Sequence, residues 1–153
     1  MKPRNLAVLL GFILLCQLAG IIGSFFSFDA IETWYAGLQK PFFTPPSWVF
    51  GPVWLTLYTL MGISAYLVWE KQGNGALGIF VVQLFLNAIW SIVFFGFHSP
   101  AAGVAVIIAL WLAIAATMRG FWQISRTAAW LLVPYIFWVS FAALLNIAIM
   151  LLN

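Results

Sequence analysis

Residues 128–151 read AAWLLVPYIFWVSFAALLNIAIML, which is 24 consecutive residues without a charged side chain. A helix needs ~20 predominantly apolar residues to cross the hydrocarbon core of a bilayer, so this stretch is long enough to span it. The rest of the chain has the same character, because 65% of its 153 residues are hydrophobic, 6% are charged and the mean hydropathy is +1.11. These values exclude a soluble domain and predict an integral membrane protein.

Charged and turn-forming residues divide the chain into five apolar stretches of about this length. This predicts a single all-α transmembrane domain over residues 1–153, a bundle of five helices. Only the first break is long, and because long loops often carry function we interpret it as a lid over the bundle. The predicted helices are 6–27, 47–69, 76–97, 101–119 and 128–151, and the breaks are 29–46, 70–75, 98–100 and 120–127.

The first span begins like a signal peptide, with Lys2 and Arg4 before an apolar run. That run continues to Phe28 without a small-residue cleavage site, so we expect an uncleaved helix. Cys16 lies in the middle of this span and is the single cysteine, which cannot form an internal disulfide. Leu15 before it is too large for a lipoprotein cleavage site.

Basic residues are distributed unevenly over the two sides of the predicted bundle. The side with the N-terminus holds five of the six Lys and Arg residues, whereas the other side holds only Lys40. The positive-inside rule then predicts a cytoplasmic N-terminus, with the lid and the C-terminus outside, in a bacterial inner membrane. The net charge of +3 is too small and too dispersed for a nucleic-acid surface.

Aromatic and amide side chains form stripes at helical spacing on three spans. Buried amides and hydroxyls in a membrane need partners, either on another helix or on a ligand. For Gln83 and Asn146, a partner on another helix and a partner on a ligand both stay open. The position of Asn87 beside Trp90 favours a role in a ligand pocket. The stripes are Phe50, Trp54 and Tyr58 on the second span; Gln83, Asn87, Trp90 and Phe94 on the third; and Tyr135, Trp138, Ala142 and Asn146 on the fifth.

Small residues recur at intervals of four on the fourth span and in a shorter run on the first. Such a groove lets another backbone approach closely, so it predicts a packing seam within the bundle or between protomers. The residues are Ala101, Ala105, Ala109, Ala113 and Thr117 on the fourth span, and Ala19, Gly20, Gly23 and Ser24 on the first.

Two prolines fall within predicted helices. Pro52 lies in the first turns of the second span, where its missing N–H costs least. Pro134 lies inside the fifth span, so we expect it to bend that helix or to free a carbonyl group.

Three longer motifs carry a resemblance to a known family. Residues 34–58 read WYAGLQKPFFTPPSWVFGPVWLTLY, residues 83–96 read QLFLNAIWSIVFFG and residues 132–146 read LVPYIFWVSFAALLN. In order and spacing they closely resemble the TspO/translocator protein family, the tryptophan-rich sensory proteins that include the mitochondrial peripheral benzodiazepine receptors. The resemblance covers nearly the whole chain.

The resemblance implies a five-helix bundle, usually a homodimer, whose pocket between the helices is closed by the first loop. Members bind porphyrins such as protoporphyrin IX and haem, isoquinoline carboxamide and benzodiazepine ligands, and in animals cholesterol. The tail, residues 146–153, lacks the tyrosine and basic residue of the animal cholesterol pattern. By their positions in these motifs, the resemblance implies that Trp34, Pro45 and Pro46 belong to the lid. It implies that the pocket is lined by Phe50, Trp54, Tyr58, Asn87, Trp90, Trp138 and Ala142, and Tyr135 lies on the same stripe as Trp138 and Ala142.

A flat aromatic ligand also follows from the residue types, because indole and phenol rings can stack on its faces while Asn87 and Tyr58 offer orienting hydrogen bonds. Its carboxylates would reach the surface near the lid, with Lys40 as their partner. We therefore expect a receptor, sensor or carrier in tetrapyrrole regulation or stress response. It would bind a porphyrin as its ligand, lie among membrane lipids and require no cofactor or metal.

The sequence offers no Ser-His-Asp set and no metal-binding cluster, and its one histidine, His98, lies at a loop edge. Two alternatives to a receptor stay open. Stacked tryptophans could support light- and oxygen-dependent porphyrin degradation, for which the resemblance implies Trp54 and Trp138. A tetrapyrrole or sterol transporter is the other, although the spans contain neither an inverted repeat nor a central charge.

Overall fold

The computed structural model describes residues 3–153, with side chains from Arg4 onward. Over that range the chain is helical without a strand, and five helices are long and apolar enough to cross a membrane. The predicted all-α membrane fold is therefore confirmed. The helices are α1 (Pro3–Glu32), α2 (Trp34–Gly37), α3 (Phe50–Glu70), α4 (Asn74–Ser91), α5 (Pro100–Ile124), α6 (Arg126–Leu131) and α7 (Val133–Leu152), with a 3-10 turn at Ser47–Val49 and a π-helical turn at Ile92–Gly96.

The structure corrects two predicted boundaries. The first helix continues through Asp29 to Glu32, and the fourth span, α5, runs through Arg119 and Gly120 to Ile124. A charged side chain at the end of a span can reach water along its own aliphatic stem, and one glycine costs a helix only about 1 kcal/mol, so neither feature ends these helices. The predicted break at 120–127 shrinks to a single residue.

That residue, Ser125, caps two helices. Its backbone N–H donates to the carbonyl of Phe121 at 2.7 Å, which closes α5, and its hydroxyl accepts from the N–H of Ala128 at 3.4 Å, which opens α6. A serine side chain at such a position satisfies an N–H that has no partner within its own helix. The two helices can therefore join without a longer loop.

Two residues before Pro134, the fifth span is interrupted at Leu132 and divides into α6 and α7, and the bend itself stays a prediction. Proline has no N–H to donate to the preceding turn. The turn tightens instead, and the N–H of Leu132 donates to the carbonyl of Ala129 at 3.1 Å. Pro52 lies within the first turn of α3, as expected.

The helices pack α1 against α3 and α4, α4 against α5, and α5 against α7. The residues of the alanine seam on α5 lie partly inside the bundle and partly on its outer surface. Ala113 and Thr117 are buried in the bundle, whereas Ala101, Ala105 and Ala109 are exposed. The C-terminal half of the seam therefore serves internal packing, and the N-terminal half presents a smooth outer face.

Candidate functional site

A cavity of about 350 Å³ lies among α1, α3, α7 and the end of α4, on the side of the bundle that carries the first loop. This volume is within the ~300–1,000 Å³ typical of small-molecule sites. Eight aromatic side chains supply much of its wall. They are Tyr35, Phe50, Trp54, Tyr58, Trp90, Phe94, Phe95 and Trp138.

The aromatic stripes predicted from the spacing meet at this cavity. On α3 the rings of Trp54 and Tyr58 stack with centroids 5.5 Å apart, and Phe50 reaches across to Trp138 on α7 at 5.9 Å. On the facing wall Trp90 stacks with Phe94 at 5.3 Å. Ala142 also lines the cavity. A flat aromatic molecule would thus meet ring faces from two sides.

One tryptophan in this wall has its polar atom satisfied by the protein. The indole Nε1 of Trp90 donates to Oδ1 of Asn146 at 3.1 Å, and Nδ2 of Asn146 donates to the carbonyl of Pro100 at 2.8 Å. The amide of Asn146 therefore joins α4, α5 and α7. For this residue the structure favours the helix-to-helix role over the ligand role.

A second polar network lies behind the aromatic wall. The hydroxyl of Tyr58 donates to Oδ1 of Asn87, Nδ2 of Asn87 donates to the hydroxyl of Tyr135 at 2.9 Å, and that hydroxyl donates to Oε1 of Gln83 at 2.8 Å. All four side chains are buried. Of the four, only Tyr58 lines the cavity, so Asn87 and Tyr135 act on the site by fixing the Tyr58 ring.

Two buried polar atoms of the cavity-lining residues have no hydrogen-bond partner among the described residues. They are the hydroxyl of Tyr35, whose side chain is 7% exposed, and Nε1 of Trp138. Burial raises the pKa of the Tyr35 phenol, so it stays a protonated donor. An unpaired buried donor costs about 1–3 kcal/mol, which an acceptor on a ligand would offset.

The first loop covers one end of the cavity. Trp34 stacks on the imidazole of His98 with ring centroids 4.7 Å apart, which joins the loop to the turn after α4. Pro45 and Pro46 lie outside the cavity lining, and the carbonyl of Pro46 accepts from the N–H of Val49 at 3.0 Å in the 3-10 turn that leads into α3. The prolines therefore shape the lid without touching the cavity.

Lys40 stabilises the lid through contacts with other lid residues. Its ammonium group lies 5.0 Å above the Tyr35 ring. A lysine has three N–H donors, and all three find backbone carbonyls here, so pairing with a ligand carboxylate would require one bond to be given up. The acceptors are the carbonyl oxygens of Tyr35 at 2.8 Å, Ala36 at 3.2 Å and Leu38 at 3.0 Å.

The last residue of the chain also holds the lid. Nδ2 of Asn153 donates to the carbonyl of Gln39 at 2.9 Å, and the N–H of Gln39 donates to Oδ1 of Asn153 at 3.0 Å. This reciprocal pair joins the middle of the first loop to the end of α7. Sequence reasoning gave no sign of it, because the partners are 114 residues apart.

Sequence reasoning also missed the wall supplied by α1. The small residues of this helix were predicted to form a packing seam, and two of them do pack closely: a Cβ added at Gly20 would lie 2.4 Å from Cε2 of Tyr58, and one added at Gly23 would lie 2.9 Å from Oγ of Ser91. Gly20, Gly23 and Ser24 also line the cavity, which their spacing alone did not predict. The sequence signal for this wall was the interval of four between Gly20 and Ser24, which is the same spacing that predicted the packing seam. The α1 residues in the lining are Gln17, Gly20, Ile21, Gly23, Ser24, Ser27 and Ile31.

Groups for metal or acid-base chemistry do not gather at the cavity. Among residues 3–153 no three His, Cys, Asp or Glu side chains are close enough to hold a metal ion. His98 is exposed, stacks on the lid and does not line the cavity. What the site offers is an apolar aromatic surface with two hydrogen-bond donors.

Comparison with known proteins agrees with the resemblance read from the motifs. A profile of the TspO/MBR family matches residues 12–152. A tryptophan-rich protein TspO from Archaeoglobus fulgidus is 46% identical over 97% of this chain and 99% of its own length. A tryptophan-rich sensory protein from Cereibacter sphaeroides is 39% identical over 96% and 92%, and the human translocator protein is 41% identical over 90% and 85%.

Proposed function

The chain belongs to the TspO/MBR family, and we propose that it is a membrane receptor or carrier that binds porphyrins such as protoporphyrin IX and haem in the aromatic cavity. Isoquinoline carboxamide and benzodiazepine-type ligands would share the site, and the role would lie in tetrapyrrole regulation or stress response. The observation that carries this proposal is the cavity lined by stacked rings with two unpartnered donors, Tyr35 and Trp138.

The chemistry of a tetrapyrrole fits each part of this wall. Its disc is large and mostly apolar, so burial among the rings of Trp54, Trp90 and Phe94 would remove much apolar area from contact with lipid and water. Its carboxylate oxygens are acceptors, which the Tyr35 hydroxyl and the Trp138 indole lack. The propionates would then point toward the lid, where Lys40 supplies the local positive charge.

A light- and oxygen-dependent porphyrin-degrading enzyme is the second candidate. Trp54 and Trp138 both line the cavity, and Trp54 stacks on Tyr58, whose hydroxyl is hydrogen-bonded to Asn87. An indole beside an excited porphyrin could donate an electron, and the hydrogen-bonded phenol behind it could pass on the charge. This chemistry would need porphyrin turnover and a defined product.

We place the protein in a bacterial inner membrane, with the N-terminus in the cytoplasm and the lid outside, on the distribution of Lys and Arg. We further propose a homodimer. The exposed half of the alanine seam, Ala101, Ala105 and Ala109, supports a face at which two helices could approach closely.

Titration of the detergent-purified protein with protoporphyrin IX in the dark, followed by tryptophan quenching, tests the binding proposal. Trp138→Phe keeps most of the ring and removes the unpartnered donor, so the affinity should fall by about two- to twelve-fold, which corresponds to ~0.5–1.5 kcal/mol for one hydrogen bond. The matched control is Trp130→Phe, at an indole that is 61% exposed and does not line the cavity.

Etioporphyrin, which has no carboxylates, should bind to the unsubstituted protein more weakly than protoporphyrin does. Its affinity should be the same for Trp138→Phe and Trp130→Phe. Equal affinity of the unsubstituted protein and Trp138→Phe for protoporphyrin would contradict the assignment of the site. Illumination of the complex then separates the two candidates. Repeated formation of one product, lost in Trp54→Phe while dark binding persists, would favour the enzyme.

A further inference from the structure

The cavity opens toward the side of the bundle, between α1 and α3. On these two helices and the turn before α3, the lining includes exposed residues, among them Ile21 at 49% and Leu55 at 61% exposure. The lining residues of α4 and α7 are buried or half-buried. We call the exposed part of the lining the mouth, and it consists of Ile21, Ser24, Ser47, Gly51 and Leu55.

The mouth exists because α1 and α3 touch at one level and separate at another. At Gly62 an added Cβ would lie 2.5 Å from Cα of Ile13, so the two backbones are in direct contact there. One turn along α1, Nε2 of Gln17 donates to the carbonyl of Leu55 at 3.0 Å and to Oγ1 of Thr59 at 3.1 Å. At the next level the ring of Tyr58 packs against Gly20, where an added Cβ would lie 2.4 Å from Cε2 of Tyr58. Beyond that level the cavity lies between the two helices.

The mouth begins at the N-terminal end of the second span and extends into its apolar length. Leu55 is eight residues beyond Ser47, where the second span begins, so the mouth reaches ~12 Å into the membrane. Exposed apolar side chains flank it, including Phe25 at 79% and Trp48 at 74% exposure. Contiguous apolar surface of this kind on a spanning helix is expected to contact lipid.

One of the two serine hydroxyls at the mouth is satisfied within its own helix. The hydroxyl of Ser24 donates to the carbonyl of Ile21 at 2.7 Å, one turn back along α1. A hydroxyl that donates to a carbonyl of its own helix has no free donor with which to hold a lipid or a passing ligand. On the opposite rim Gly51 has no side chain, and a Cβ added there would meet nothing within 4 Å.

We infer that the ligand enters and leaves the cavity sideways, from the lid-side leaflet of the bilayer through the mouth, while the lid stays closed. The inference rests on the proposed function, since it describes how the same site is reached. A flat, lipid-soluble molecule already partitioned into the membrane would slide between α1 and α3 without crossing water. The lid, held by Asn153 and Lys40, would then act as a fixed wall.

Gly51→Phe tests the route by placing a ring in the mouth. Proteoliposomes are mixed with protoporphyrin IX for association, and loaded proteoliposomes with excess empty liposomes for dissociation, both followed by tryptophan quenching. The association rate should fall about tenfold, which is a barrier change of ~1.4 kcal/mol, and the dissociation rate should fall as well, because the added ring obstructs passage in both directions. The matched control is Gly11→Phe, another exposed helical glycine with nothing within 4 Å, which does not line the cavity and should keep both rates.

Three results would overturn the inference. Unchanged rates in Gly51→Phe, combined with faster exchange in Asn153→Ala, would place the entrance at the lid. Faster dissociation with unchanged association in Gly51→Phe would make Gly51 part of the binding wall instead of the route. Absence of saturable binding in the unsubstituted protein would remove the proposed function itself, an outcome that the equilibrium titration separates from the other two.

Discussion

Replacing Tyr35 with phenylalanine should have opposite effects on the free protein and on ligand binding. The substitution removes one buried hydroxyl that has no partner among the described residues. It keeps the ring contacts with Phe94 at 6.3 Å and Phe95 at 5.8 Å, and the ammonium of Lys40 above the ring. The change therefore isolates the hydroxyl.

The expected size follows from the cost of leaving a buried group unpaired. Without ligand, Tyr35→Phe should raise the free energy of unfolding by up to about 1–3 kcal/mol, the penalty of a buried unsatisfied polar group. With protoporphyrin IX, the variant lacks a donor, so its affinity should fall by about two- to twelve-fold, or ~0.5–1.5 kcal/mol.

Thermal unfolding in detergent, with and without ligand, measures both effects. Tyr135→Phe is the control, because it makes the same substitution at another buried tyrosine whose hydroxyl is bonded to Asn87 and Gln83. It should destabilise the free protein, since it leaves both partners unpaired at about 1–3 kcal/mol each. A loss of stability in Tyr35→Phe comparable to that in Tyr135→Phe would refute the reasoning.

Three further predictions concern pH, assembly and helix contact. Burial raises the pKa of Tyr35, so this phenol leaves the free energy of unfolding independent of pH below the ordinary phenol pKa and lowers it as the pH rises through the folded-state pKa. Tyr35→Phe should flatten that part of an alkaline melting profile. Ala109→Leu, on the exposed seam, should reduce the dimer fraction in light scattering without unfolding the helices, and an unchanged mass would exclude this face. Gly62→Ala should lower the melting temperature by forcing α1 from α3 at a cost of ~1–3 kcal/mol, whereas Gly11→Ala, with open space, should not.

Spacing within a helix could be read from the sequence because it depends only on helical geometry. The interval of four that joins Phe50, Trp54 and Tyr58 puts them on one face in any α-helix, and the structure keeps them together at the cavity. The interruption of the fifth span beside Pro134 was predictable for the same reason, because proline lacks an N–H in every context. Such features require no knowledge of a neighbouring helix.

Contacts between helices could not be read in this way. Asn87 has the same spacing to Trp90 whether its amide meets a ligand or Tyr135, and only the approach of α7 decides between them. The spacing of the small residues of α1 predicted close packing, but only the positions of Tyr58 and Ser91 show that Gly20 and Gly23 both pack closely and line the cavity. The link between Gln39 and Asn153 joins the two residues across most of the chain.

The sequence by itself determined that this chain spans a membrane with five helices and which faces of those helices carry aromatic rings. These follow from the length and apolarity of each span and from helical periodicity, both of which are local. Only the tertiary structure decided which polar atoms find partners. It left the donors of Tyr35 and Trp138 unpaired beside the cavity, because hydrogen-bond pairing depends on how the helices are placed against one another.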